Sequence, residues 1–268
     1  VIFDSARKNF RNEIYSEYKA NRSEAPEDLI PQFEYIRKSV LAFNLPSVEL
    51  LNFEADDLIA TYSKQIINQG AKVTIISSDK DLMQLYDPKS LRIYDPMKNK
   101  FINEEDILKK FGVTSKKVID VQSLAGDSSD NIPGVPGIGV KTAAELINQY
   151  GNLETLLKNV EKIKQNKRRQ TLIDNKDKAI LSKKLVTLKN DVPVKDKLSN
   201  FSLKDVDKKK LYSFLREMEF NRLLSSVISF YGEVNFSDQI PKKQNTNQNK
   251  IDKNKYTLIK KLAELDVG

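Results

Sequence analysis

The chain has 268 residues, 39 % of them hydrophobic and 31 % charged, with a formal net charge of +8. That length suits one large domain or two small ones, and the basic excess favours a polyanionic partner, nucleic acid before membrane. With no Cys and no His, disulfides, thiolate chemistry, imidazole acid–base catalysis and His–Cys zinc sites are excluded.

No apolar run reaches the length of about eighteen residues that marks a membrane span, and no signal peptide opens the chain, so a cytoplasmic location without a membrane partner is expected. "VIFD" (1–4) reads as an apolar strand ending in Asp4, and its abrupt start suggests a fragment that begins inside a domain. Residues 5–25 are polar and basic, with Arg7, Lys8, Arg11, Lys19 and Arg22 interleaved with Phe10, Tyr15 and Tyr18. A helix opening at Pro26 then presents Leu29, Phe33, Ile36, Val40 and Leu41 near the 3.6 period. "VELLNF" (48–53) is a short candidate strand, and a helix from Asp56 to Gln69 ends at Gly70. "KVTIIS" (72–77) has the β-branched run of a strand buried on both faces, and "SLRIYD" (90–95) is another strand. This alternation predicts a parallel α/β sheet.

Beyond residue 103 the patterns are helical, at 104–111, 115–125, 140–150, 152–159, 170–189 and about 207–217. From Gln239 to Lys255, twelve of seventeen residues are Gln, Asn or Lys, the composition of a linker. "YTLIKKLAEL" (256–265) resumes an apolar pattern, as if another domain begins.

The acidic residues are unevenly placed. "LNFEADDLIATY" holds Glu54, Asp56 and Asp57 within four positions on a half-apolar stretch. Two unit charges 4 Å apart repel by roughly 4 kcal/mol at an effective dielectric of 20. Asp4 ends a strand, Asp79 and Asp81 follow the run at 72–77, and Asp127 and Asp130 lie in "GDSSDN". The carboxyl ends of strands gather ligands in open α/β sheets. Each acid alone reads as a helix cap or turn residue, but caps do not need doubled carboxylates at three places. Divalent cations make such clusters favourable, and all-oxygen donors select Mg²⁺ or Mn²⁺. This many carboxylates suits two ions, which together can activate water and clamp a phosphoryl group.

"NIPGVPGIGVKTA" (131–143) matches neither nucleotide-loop template. The third glycine of G-x-G-x-x-G is replaced by Thr142, and Val140 separates Gly139 from Lys141 in the P-loop pattern. A glycine hairpin between helices fits better, offering backbone N–H groups and a helix N-terminus to one phosphate. Residues 158–184 add ten Lys or Arg against three acids, a solvated helix face or a duplex-tracking surface.

"FEADDLIA", "SSDKDLMQL" and "AGDSSDNIPGVPGIGVKTA", with "VIFD…FRNEIYSEYKANR" and "FLREMEFNRLL", resemble the 5′-nuclease family of bacterial DNA polymerase I, flap endonucleases and phage 5′-exonucleases. The likeness runs in order from residue 1 to about 225. It implies an α/β fold, a PIN-like parallel sheet flanked by helices, followed by an all-helical subdomain with a helix-hairpin-helix. The implied organisation is a nuclease core over 1–112, helical DNA-binding subdomain over 113–232, linker over 233–255 and the start of a further domain at 256–268. It also implies a strand with one more metal-binding Asp ahead of Val1.

By the same resemblance, Asp4, Glu54, Asp56, Asp57, Asp79, Asp81, Asp127 and Asp130 would be direct or water-mediated ligands of two Mg²⁺ or Mn²⁺ ions. Arg11, Lys19 and Arg22 would handle the scissile phosphate. Gly134, Gly137, Gly139, Lys141 and Thr142 would form the helix-hairpin-helix that holds duplex DNA, with an associated monovalent cation. The implied function is structure-specific 5′–3′ hydrolysis of flapped or nicked DNA and RNA primers, by a monomer fused to a C-terminal polymerase region. Two rivals remain: a non-catalytic duplex-binding module, and a PIN-like ribonuclease.

Overall fold

The computed structural model of the chain describes residues 1–234, and the expectations for residues beyond 234, including the linker and the pattern resuming at Tyr256, lie outside them. Two compact units emerge: Val1–Asp207, and Lys208–Gly268, of which 208–234 are described.

The expected strands at "VIFD" and "VELLNF" reduce to single parallel bridges, Ile2 with Val48 and Asn9 with Asn52. Asn52 sits at φ +73°, a left-handed turn that stops extended pairing. Helix α1 (Phe10–Ile14) is short and capped by Asn9, whose side chain accepts the Arg11 N–H at 2.8 Å. Helix α2 (Ile30–Ala42) begins four residues later than expected. Pro26 instead accepts a turn bond from Leu29 N at 2.9 Å, and Pro31 occupies the first helical turn. Only Val40 of the expected apolar stripe is buried; Phe33, Ile36 and Leu41 are 48, 48 and 66 % exposed.

Helix α3 (Ala55–Asn68) buries Leu58, Ala60 and Tyr62 and stops before Gly70 at φ +80°. Strands β1 (Val73–Ile76) and β2 (Leu91–Asp95) pair in parallel, with Ile75 opposite Ile93. Strand β3 (Lys100–Ile102), absent from the sequence expectation, pairs antiparallel to β2, so the sheet is mixed rather than parallel. The cause is the four-residue turn at 96–99, which is too short for a crossover. Strand β1 is also not buried on both faces: Ile75 is 6 % exposed and Ile76 70 %, so only one face is covered.

Helix α4 (Glu104–Phe111) is capped by Asn103, which accepts the Asp106 N–H at 2.9 Å, and closes on Gly112 at φ +70°. There follow α5 (Val118–Ala125), α6 (Val140–Tyr150), α7 (Leu153–Lys158), α8 (Asn166–Asp174) and α9 (Lys176–Val186). The helix expected over 170–189 is thus two, broken at Asn175. One apolar core joins Ile75, Leu82, Ile93 and Ile107 to Val118, Leu124, Ala143 and Ile147. It runs without interruption across the 112/113 boundary, and each fully buried aliphatic side chain contributes about 1.5–3 kcal/mol. In the second unit α10 (Lys208–Glu217) packs on α11 (Asn221–Tyr231), and Tyr212 Oη donates to Gly232 O at 2.6 Å.

Candidate metal centre and nucleic-acid interface

The carboxyl end of β1 delivers Ser77, Ser78 and Asp79, and a 3₁₀ turn over Asp81–Leu85 follows. Leu82 and Met83 are buried in the core, which anchors that turn and turns Asp81 outward. Asp79 Oδ1 accepts the Asp81 N–H at 2.8 Å. Glu54 and Asp56 open α3, where the helix dipole favours negative charge. Asp130 comes from the loop after α5. These five acids, Glu54, Asp56, Asp79, Asp81 and Asp130, line one cavity of about 350 Å³ together with Lys19, Arg22 and Lys80.

The electrostatics of this cavity are unrelieved at its centre. Burial first, then Asp79, Glu54 and Asp81, push the Asp56 carboxyl up to about 7. Burial and the neighbouring Asp79 likewise raise Asp81 to about 6, against a hydrogen bond from Gln122. Among the described residues, nothing hydrogen-bonds or ion-pairs with the Asp56 carboxylate. The outer acids carry counter-ions: Lys19 bonds Glu54, Arg22 bonds Asp130, and Lys80 Nζ lies 2.5 Å from Asp127 Oδ2. Against burial, Lys80 and Ser129 hold Asp127 below the usual carboxylate range. Lys19 has φ +56°, a strained backbone for a lysine, and its N–H is tied to Asp130 O at 2.9 Å.

Among the described residues no three acids close on one point as a finished coordination shell. Their donor chemistry nonetheless fits a hard divalent ion: carboxylate oxygens only, clustered, and repelling one another until a cation joins them.

Asp57, Asp4 and Asp127 do not line the cavity, and Arg11 lines it with its guanidinium already committed. Asp57 is fully buried and saturated: its oxygens accept from Arg11 Nη1 and Nη2, both at 2.7 Å, from Glu54 N at 3.2 Å and from Lys189 N at 2.8 Å. No lone pair is left aimed at the cavity, so Asp57 is structural here. Arg11 is 1 % exposed and spends its remaining donors on Glu54, Leu185 O and Thr187 O, so it is not a free phosphate binder. Asp4 is exposed and caps α3, its Oδ1 accepting the Ala55 N–H at 2.7 Å, and it does not line the cavity.

Residues that sequence reasoning passed over support the cavity. Tyr18, 4 % exposed, donates to Glu54 Oε2 at 3.0 Å. Asp95, at the end of β2, accepts from Ser78 Oγ at 2.7 Å and so braces the loop before Asp79. Gln122 donates to Asp81 Oδ1 at 2.6 Å. Only the position of Asp95 at a strand end was a signal in the sequence.

The glycine hairpin connects α5 to α6. Gly126 and Gly134 touch: a Cβ on Gly134 would lie 2.4 Å from Gly126 N, and Gly134 N–H donates to the buried Ser182 Oγ at 2.9 Å. Gly134 is therefore committed to packing and offers no donor outward. Gly137 and Gly139 face open space, Gly139 is the N-cap of α6, and Lys141 is exposed in the first turn beside the half-buried Thr142.

Residues 1–112 match the family described as 5′-3′ exonuclease, N-terminal resolvase-like domain, and 113–209 match its C-terminal SAM fold. The chain is 52 % identical over 227 residues to DNA polymerase I of Rhizobium leguminosarum, covering 85 % of this chain and 22 % of that protein. It therefore spans about a quarter of the length of such polymerase relatives. A 5′-3′ exonuclease of Buchnera aphidicola subsp. Acyrthosiphon pisum is 39 % identical over 222 residues, 81 % of this chain and 77 % of that one. The solved T5 5′-exonuclease with bound zinc ions superposes with a TM-score of 0.62 and 27 % identity, over 70 % of this chain and 73 % of that one. Matched along both parts of its fold, and over most of a stand-alone relative, the chain belongs to the 5′-3′ exonuclease family.

Proposed function

We propose that this chain hydrolyses phosphodiester bonds in flapped or nicked DNA and in RNA primers, near the junction, as the 5′-nuclease module of a DNA polymerase I. The observation that carries the reading is the cavity in which Asp56, Asp79 and Asp81 stand together while basic side chains ring it. Those three acids, with Glu54, Asp127 and Asp130 directly or through water, would hold Mg²⁺ or Mn²⁺, with two ions using the set. Such ions, when bound, supply a metal-activated water and offset charge on the phosphate.

The chain's own side chains do the rest. Lys19 and Arg22 hold positive charge at the rim, where each can exchange its carboxylate partner for a phosphate oxygen and stabilise charge growing there. Gly137, Gly139, Lys141 and Thr142 would grip a duplex phosphate at the N-terminus of α6, independent of sequence, with a monovalent cation as companion of the hairpin. The family resemblance supports a cytoplasmic monomer continuing into polymerase sequence.

The test is a magnesium-dependent cleavage assay of the full chain on a 5′-flap duplex labelled at the flap. Release of a short 5′ product near the junction, abolished by chelator, is expected. Duplex binding without cleavage would make the module non-catalytic, and preference for single-stranded RNA would favour a PIN-like ribonuclease.

A further inference from the structure

Helix α5 fully buries Val118, Val121 and Leu124, and the polar residues Asp120, Gln122 and Ser123 are buried beside them. Asp120 is paired with Lys183 and Ser123 Oγ donates to Ile119 O at 2.6 Å, whereas Gln122, 4 % exposed, is only half satisfied. Its Nε2 donates to Asp81 Oδ1 at 2.6 Å, and its Oε1 is the one buried side-chain polar atom among the described residues with no partner. The amide orientation is chemically forced, because turning it would set a carbonyl oxygen against a carboxylate. A buried orphan acceptor costs the fold stability. A leucine or methionine would avoid that cost, so the donor end must do something worth keeping.

We infer that Gln122 is a positioning residue for the metal centre: it fixes the Asp81 carboxylate against α5, leaving Asp81 Oδ2 directed for a cation. The placement is informative. Asp81 belongs to the turn after β1, whereas α5 runs into the loop that carries Asp127 and Asp130. One side-chain bond thus sets the spacing between two halves of the acid cluster. The chemistry is equally specific. A lysine or arginine reaching Asp81 would neutralise it and compete with the ion. An amide N–H holds the oxygen in place and leaves the negative charge available.

This inference rests on the metal-dependent reading above, and the experiment separates the two. Mn²⁺ binding to the full chain is titrated by electron paramagnetic resonance for wild type, Gln122→Met and Gln122→Leu, with melting temperatures of the metal-free proteins measured in parallel. Both replacements keep volume and remove the orphan acceptor together with the donor. The expected result is a Mn²⁺ affinity weakened about tenfold or more, with a melting temperature equal to or above wild type. Unchanged affinity in both variants overturns the inference while the metal reading stands. A lower melting temperature accompanying the loss, or failure of both variants to fold, overturns it by making Gln122 merely structural. If wild type itself binds no Mn²⁺, the metal reading falls and this falls with it.

Discussion

Arg11 and Asp57 form a two-pronged ion pair in the interior, Nη1 to Oδ2 and Nη2 to Oδ1 each at 2.7 Å, with the residues 1 % and 0 % exposed. The pair links α1 to the first turn of α3 and, through Leu185 O, Thr187 O and Lys189 N, to the end of α9. Removing Arg11 leaves the buried Asp57 charge without an ion-pair partner, which costs about 3–5 kcal/mol, whereas removing the Asp57 charge leaves Arg11 still paired with Glu54. Arg11→Leu should lower stability by that order and Asp57→Asn by less, both read from denaturant unfolding. Arg11→Lys should not rescue, since an ammonium cannot fill both oxygens and both carbonyls. An Asp57→Asn protein as stable as wild type would place this aspartate in the metal cluster instead.

Asp56 should behave in the opposite sense. Its carboxyl is raised to about 7 in the folded chain, well above the unfolded value of about 3.9. The metal-free fold therefore binds that proton more tightly than the unfolded chain, and loses stability as pH rises from 4 through 7. Asp56→Asn should raise the melting temperature of the metal-free protein at pH 8, by a margin that narrows toward pH 4. The same variant should lose cleavage of a 5′-flap duplex and retain duplex binding. Near-normal cleavage would mean that the cavity is not the reaction site.

Asp95 titrates the other way. Bonds from Ser78 and Lys98 hold its carboxylate far below the usual range. Its contribution is therefore present above pH 4 and lost as pH falls through the folded value. The melting-temperature gap between wild type and Asp95→Asn should be full at pH 6 and shrink below pH 4. Because Ser78 precedes Asp79, the variant should also need more Mg²⁺ for half-maximal cleavage. A gap independent of pH would refute the role given to the carboxylate charge.

The hairpin glycines should split into two classes. Gly134→Ala forces a Cβ to 2.4 Å from backbone at φ +59° and should cost about 3 kcal/mol or more of stability. Gly139→Ala meets open space at an ordinary φ of −86° and should fold normally while weakening duplex binding. Lys141→Ala should weaken binding to all duplex sequences alike and reduce the salt slope by about one. Equal stability losses at 134 and 139, or an unchanged salt slope, would contradict this division.

Residue type and local order in the chain determined a good deal. The absence of Cys and His left carboxylates as the donors, and the acid-rich stretches at 54–57, 79–81 and 127–130 supply Glu54, Asp56, Asp79, Asp81 and Asp130 to the cavity lining, but not Asp57 or Asp127. Periodicity and caps placed α3, α4 and α6 within a residue or two, because Gly70, Gly112 and Gly151 end them by backbone conformation alone. What only the tertiary structure decided is which like residues do unlike work. Asp56 and Asp57 are neighbours in sequence, yet one helical step of about 100° sends one into the cavity and the other into the interior against Arg11. Gly134 and Gly139 read alike until Gly126 closes on the first. Gln122 gave no sequence signal, because an amide's meaning lies in the carboxylate it reaches across forty-one residues.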